Sequence, residues 1–287
     1  MTSKKAIATD ALAKALRLRK RLKISLDEPA SVIDSAERIG IEVRLVDLPS
    51  AEGIYVAGNN PTIILSSLRP PGRRNFTCAH EIGHHEFCHG DQFDELTTDR
   101  RTRRRNDPKE YAADCFAAYF LMPKTTIEIA MKRRAISCLS IDFMDVYRLA
   151  SWLGVGYRTL INHLQFGLGL IGSERSAQLL GREPRQLRQQ LLGRKVATNL
   201  YFVDTNWRGR AIDCEIGDYL LLPRGTEMEG SQLSKTNDGA DKVLAETKTP
   251  GIARVSIPNT DWSAFVRVSR RNYVGRSCFR FEEETSE

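Results

Sequence analysis

Apolar and polar positions alternate with two different periods along this chain, helical through most of the first two thirds and strand-like in the last. Residues 6–23 and 29–39 place apolar side chains three and four apart, as amphipathic helices do, with Asp27 a candidate cap for the second helix and Gly40 its stop. Residues 42–46, 53–57 and 62–66 are rich in β-branched residues and read as strands, the last two joined by a Gly58-Asn59-Asn60-Pro61 turn. Helical spacing returns over 75–89, breaks at Gly90-Asp91 and gives way to a polar loop ending near Asp107. It resumes behind Pro108 over 110–121, since proline is tolerated in a first turn, and again over 125–134, 141–153 and 157–165. From about Lys195 strands are predicted at 199–203, 218–222, 243–246, 253–257 and 262–268. The order implies an α+β chain whose C-terminal third is a β-rich module.

With 287 residues the chain exceeds the usual single-domain size, so a catalytic or binding unit with an appended module is expected. The formal charge of +7 comes largely from clusters at 100–105, 182–195 and 267–280, which suit an acidic partner or nucleic acid but equally a solvated basic face. Six cysteines, at 78, 88, 115, 138, 214 and 278, show no CxxC spacing, which argues against a zinc ribbon or a disulfide framework. No apolar run is long enough to span a bilayer, the N-terminus lacks a signal-peptide centre and Asp10 is unlike a transit peptide. A cytoplasmic protein with reduced thiols and no membrane partner is expected.

The chemistry concentrates in His80-Glu81-Ile82-Gly83-His84. Histidines four apart share a helix face, so His80 and His84 can direct imidazole nitrogens at one ion, and Glu81, about 100° round the helix, lies beside that ion as a general base. A catalytic zinc needs a third protein ligand, and Glu110 is the choice, with Asp114 on the same helix face to accept a hydrogen bond from a liganding histidine. A competing pattern would put a third histidine six positions after His84, but Gly90 stands there and His89 is one residue short; His85 should point away from the ion. Manganese is an alternative metal for the same donors. Tyr111, His85 and the arginines of 101–105 are candidates for steadying a developing oxyanion, and Cys78, Cys88 or Cys115 for blocking the site at rest.

The run from Cys78 through His84, then Glu110 to Asp114, then Phe116-Ala117-Ala118-Tyr119-Phe120-Leu121-Met122-Pro123 resembles the ImmA/IrrE family of metallopeptidases over roughly residues 5–170. The resemblance implies a zincin-like metallopeptidase domain at 1–135, a helix-turn-helix-like helical element at 136–174 and a C-terminal sensor module, in some relatives GAF-like, at 175–287. It implies zinc held by His80, His84 and Glu110, catalysis by Glu81, and a partner helix-turn-helix repressor as protein substrate, cleaved in a stress, DNA-damage, mobile-element or phage-defence response. Ala112 stands where many relatives carry an acidic residue.

Within 146–171, Tyr157, Arg158 and Asn162 would face outward from the second helix, suiting docking as well as groove binding. In the C-terminal third, Trp207, Tyr219, Trp262, Tyr273 and Phe279 interleave with Arg208, Arg210 and the 267–280 cluster. That mixture fits single-stranded DNA or another stress ligand, or else an ordinary β core. A different class of reading is a DNA-binding transcriptional regulator with a structural or vestigial metal site, against which Glu81 weighs.

Overall fold

A computed structural model describes residues 3–95, 107–207, 210–238 and 242–283; the 100–105 arginine cluster and Arg208 lie outside the described residues. Helix α1 (Lys4–Arg21) starts where the Ser3 side chain accepts from the Ala6 amide, and buries Ala11, Ala15 and Leu18 along one face. Its buried Arg19 donates to the carbonyls of Phe120, Ser25 and Glu28. Burial lowers its pKa to about 10, and the three acceptors compensate the desolvated charge. Helix α2 (Val32–Arg38) begins later than expected. Its N-cap is Ser31, whereas Asp27 bonds Ser25 and Arg133, so Asp27 caps no helix.

The first sheet has β1 (Glu42–Val46), β2 (Ala51–Val56) and β3 (Thr62–Ser66), with β1 and β3 parallel and β2–β3 an antiparallel hairpin as the turn predicted. Helix α3 (Pro71–Glu86) packs on β2 and β3, and β4 (Gln92–Glu95), from a stretch read as loop, adds antiparallel to β2. Then follow α4 (Pro108–Leu121), α5 (Lys124–Arg133), α6 (Phe143–Leu153) and α7 (Tyr157–Asn162), which loosens into a π turn over His163–Gly167. Helices α8 (Ser173–Leu180) and α9 (Pro184–Leu192) close the helical part.

The β-rich region comprises β5 (Leu200–Phe202), β6 (Ile212–Glu215), β7 (Tyr219–Pro223), β8 (Glu227–Glu229), β9 (Leu233–Asp238), β10 (Lys242–Thr247), β11 (Gly251–Ser256) and β12 (Ser263–Ser269). They form two four-stranded sheets, β5-β7-β10-β9 and β6-β12-β11-β8, in which β10 and β11 alternate buried with more open positions. The last strand, β13 (Gly275–Arg276), leaves this region and pairs with β1, so the end of the chain completes the edge of the first sheet. Trp207, Tyr219 and Trp262 are buried, as a β core requires.

Ion pairs lock the two parts together. Arg74 of α3 meets Glu215 of β6, Arg134 meets Asp204, and Arg267 and Arg280 converge on Asp34 of α2 and Asp213 of β6. Burial pushes the Asp34 carboxyl up, but the two arginines outweigh it and hold the group below its usual range. Arg267 and Arg280 of the 267–280 cluster are therefore engaged inside the molecule. Among the described residues no helix is long and apolar enough to cross a membrane.

Candidate metal centre

The site forms where α3 and α4 pack closest. Gly83 permits the approach: a Cβ there would stand 3.0 Å from Ala113 Cα and 3.2 Å from Phe116 Cδ1, tighter than ordinary contact. On α4 the small Ala113, whose Cα and carbonyl oxygen lie nearest, supplies the other side. The glycine inside the His-Glu-x-x-His motif thus brings Glu110 to the histidines.

His80, His84 and Glu110 are all buried, and their donor atoms lie within 4.8 Å of one another. The two Nε2 atoms are 2.9 Å apart, and each is 3.5 Å from a Glu110 carboxylate oxygen. Two imidazole nitrogens and a carboxylate converging in a buried space make a donor set that fits zinc or a similar divalent ion. The Nδ1 of His80 lies 2.8 Å from Asp114 Oδ1. A proton on Nδ1 leaves the Nε2 lone pair facing the centre, the arrangement that fixes a metal-binding tautomer.

His84 has an outer partner that spacing alone did not reveal. Helix α3 stops at Glu86 rather than running to residue 89. Cys88 takes a left-handed φ of 55°, and the His89 amide bonds back to the His84 carbonyl. His89 Nδ1 then sits 2.8 Å from His84 Nδ1. The residue one short of a third-ligand position lies on the outer nitrogen of His84.

Glu81 is fully buried beneath β2. Gly53 of β2 covers it: a Cβ there would meet Thr77 Cγ2 at 2.5 Å and Glu81 Oε1 at 2.8 Å. Only a residue without a side chain lets the strand lie this close to the carboxylate. His85 turns to the Tyr55 hydroxyl, 2.7 Å away, as expected of a residue off the metal face. Tyr111 bonds Cys115, and burial pushes its phenol up to about 12. Cys78 is fully buried, which drives its thiol far above the ordinary range, while Cys88 is exposed. The arginines of 101–105 lie outside the described residues.

Residues 36–164 match the family model described as Peptidase_M78, IrrE N-terminal-like domain. No curated protein matches the chain. Among solved structures, a Mycobacterium tuberculosis transcriptional regulator matches at 19% identity with a TM-score of 0.37, over 55% of this chain and 46% of that one. The chain therefore spans about half the length of that structure. The matched segment holds the motif helix, the Glu110 helix and strands β1–β4, and the match supports an ImmA/IrrE-type metallopeptidase domain over those residues.

Proposed function

We propose that the chain is a zinc-dependent endopeptidase whose substrate is a partner helix-turn-helix repressor, cut in a stress, DNA-damage, mobile-element or phage-defence response. The observation that carries the peptidase reading is the convergence of His80, His84 and Glu110, with Glu81 on the same helix beneath β2. In this reading the three hold the ion, and Asp114 and His89 orient the two histidines. A zinc ion held there, or manganese on the same donors, supplies Lewis acidity at the scissile carbonyl.

Glu81 does the proton work. Its carboxylate takes a proton from the attacking water as the new C–O bond forms, and delivers it to the amine as the C–N bond breaks. The close cover of Gly53 limits the directions in which that carboxylate can turn.

The repressor substrate rests on the family resemblance. The α6–α7 pair serves as the helix-turn-helix-like docking element, and the β-rich region as a sensor, GAF-like in role, for single-stranded DNA or another stress ligand in the cytoplasm. The test is cleavage of helix-turn-helix repressors encoded beside the gene by wild type and Glu81→Gln, with zinc or manganese and with or without single-stranded DNA. Cleavage should fall by about 10²–10⁴-fold in the variant. Equal cleavage by both proteins would remove Glu81 from its role.

A further inference from the structure

A cavity of about 460 Å³ opens where the helical part meets the β-rich region, a volume typical of small-molecule sites. Residues 70–75, the first turn of α3, form one side; Gly154, Val155 and Gly156 between α6 and α7 form another; β5 and β6 close it. None of the metal-centre residues lines it.

Three lining residues carry a buried polar atom with no hydrogen-bond partner among the described residues: Arg188 Nε, the Tyr201 hydroxyl and Trp207 Nε1. Trp207 as a whole is only 1% exposed. All three atoms can donate, and two of them can do nothing else. Buried donors are rarely left unmatched, so the missing partner is rich in acceptors.

Charge points the same way. Of the arginines lining the cavity, Arg73, Arg74 and Arg280 are paired with carboxylates, whereas Arg158, Arg188 and Arg210 make no ion pair among the described residues. Arg210 gives its guanidinium to the Trp152 carbonyl at 2.9 Å and lies over the Trp207 ring at 5.3 Å. The uncapped N-terminus of α3 adds the positive end of a helix dipole. The walls between these charges are aromatic, with Tyr147, Tyr157, Tyr201 and Trp207. An ordinary metabolite anion would use the charges and leave those flat walls unfilled.

We propose that this cavity binds a phosphorylated small molecule carrying a flat ring, the chemistry of a mononucleotide. The phosphate answers the unpaired arginines and the ring lies among the aromatic side chains. The ligand would touch the β-rich region and the helix that carries His80 and His84 at once. A free nucleotide and the terminal nucleotide of a DNA strand share this chemistry, and the test separates them.

The experiment is tryptophan fluorescence and thermal unfolding of the full chain titrated with AMP, GMP, adenosine, inorganic phosphate or single-stranded oligothymidylate. AMP or GMP should quench and stabilise saturably, at least about tenfold more tightly than adenosine or phosphate alone. Tyr201→Phe removes a hydroxyl that has no hydrogen-bond partner among the described residues, so its unliganded melting temperature should equal or exceed that of wild type while nucleotide affinity drops about tenfold. Arg188→Gln should weaken binding at least as much. No saturable response to either nucleotide, equal binding of adenosine or phosphate, a response to the oligonucleotide alone, or unchanged affinity in both variants would each overturn the proposal. None of these readouts uses peptide cleavage, so the result stands apart from the peptidase reading.

Discussion

Helix α3 has two ends in contrasting surroundings. Toward its C-terminus, Gly83 lets α4 close in, and His80, His84 and Glu110 face one another with Asp114 and His89 behind the histidines. At its N-terminus the helix meets the β-rich region across a cavity whose Arg188 Nε, Tyr201 hydroxyl and Trp207 Nε1 have no hydrogen-bond partner, and whose Arg158, Arg188 and Arg210 no ion-pair partner, among the described residues. One end is packed around a point large enough for an ion, and the other keeps room for a molecule. The same helix can thus carry chemistry at one end and feel an occupant at the other, because a packed helix shifts as a unit rather than bending freely.

Three changes would break or sharpen this contrast. Gly53→Ala has the largest expected effect, since its Cβ would press on Thr77 and the Glu81 carboxylate. Turnover should fall by about 10²-fold, as displacements near 1 Å do, with bound metal unchanged. Parallel loss of metal and activity would show instead that β2 supports the ligands. Asp114→Ala comes next. Removing the acceptor on His80 Nδ1 should weaken metal binding about 10–100-fold, measured by competition with a chelator, while nucleotide titration at the cavity stays as in wild type. Unchanged affinity would deny Asp114 its orienting role.

The smallest expected effect is on acid stability. Burial lowers the pKa of His163 to about 4, although its bond to the Met122 carbonyl opposes the shift. Between pH 6.5 and 4 the unfolded chain therefore binds the proton more readily than the folded one. The stability contributed by neutral His163 is complete above pH 6.5 and is lost as pH falls, by roughly 1 kcal/mol per unit. Denaturant titrations across that window should show a shallower acid slope for His163→Gln; an equal slope would assign the loss to other groups.

Much of the metal centre was legible in the sequence because its parts lie on helices, where i, i+4 spacing fixes a face. His80 with His84 and Glu110 with Asp114 are two such pairs, and the structure brings them together. Strands β1 and β3 also fell where β-branched residues placed them. What could not be read depends on contacts distant in sequence. Gly53 matters through α3, β13 is two residues long and pairs with β1 from the far end of the chain, and His89 reaches His84 only because the helix stops early at Glu86. The cavity is a product of how the two parts meet, and no local period encodes it. The mixture of aromatic and basic residues in the last third fitted either a ligand site or an ordinary β core; Trp262 and Tyr219 are core, and Arg267 and Arg280 are engaged with acids.

The central claim is that one divalent ion is held by two residues of α3 and one of α4. Zinc content of the purified full chain after exhaustive dialysis tests it most directly, compared among wild type, Glu81→Gln and Glu110→Ala, each checked for folding by circular dichroism. Wild type and Glu81→Gln should retain about one ion per chain, and folded Glu110→Ala should lose it, as expected when one of three protein ligands is removed. Full retention by Glu110→Ala, or a wild type that binds no zinc or manganese, would contradict the account.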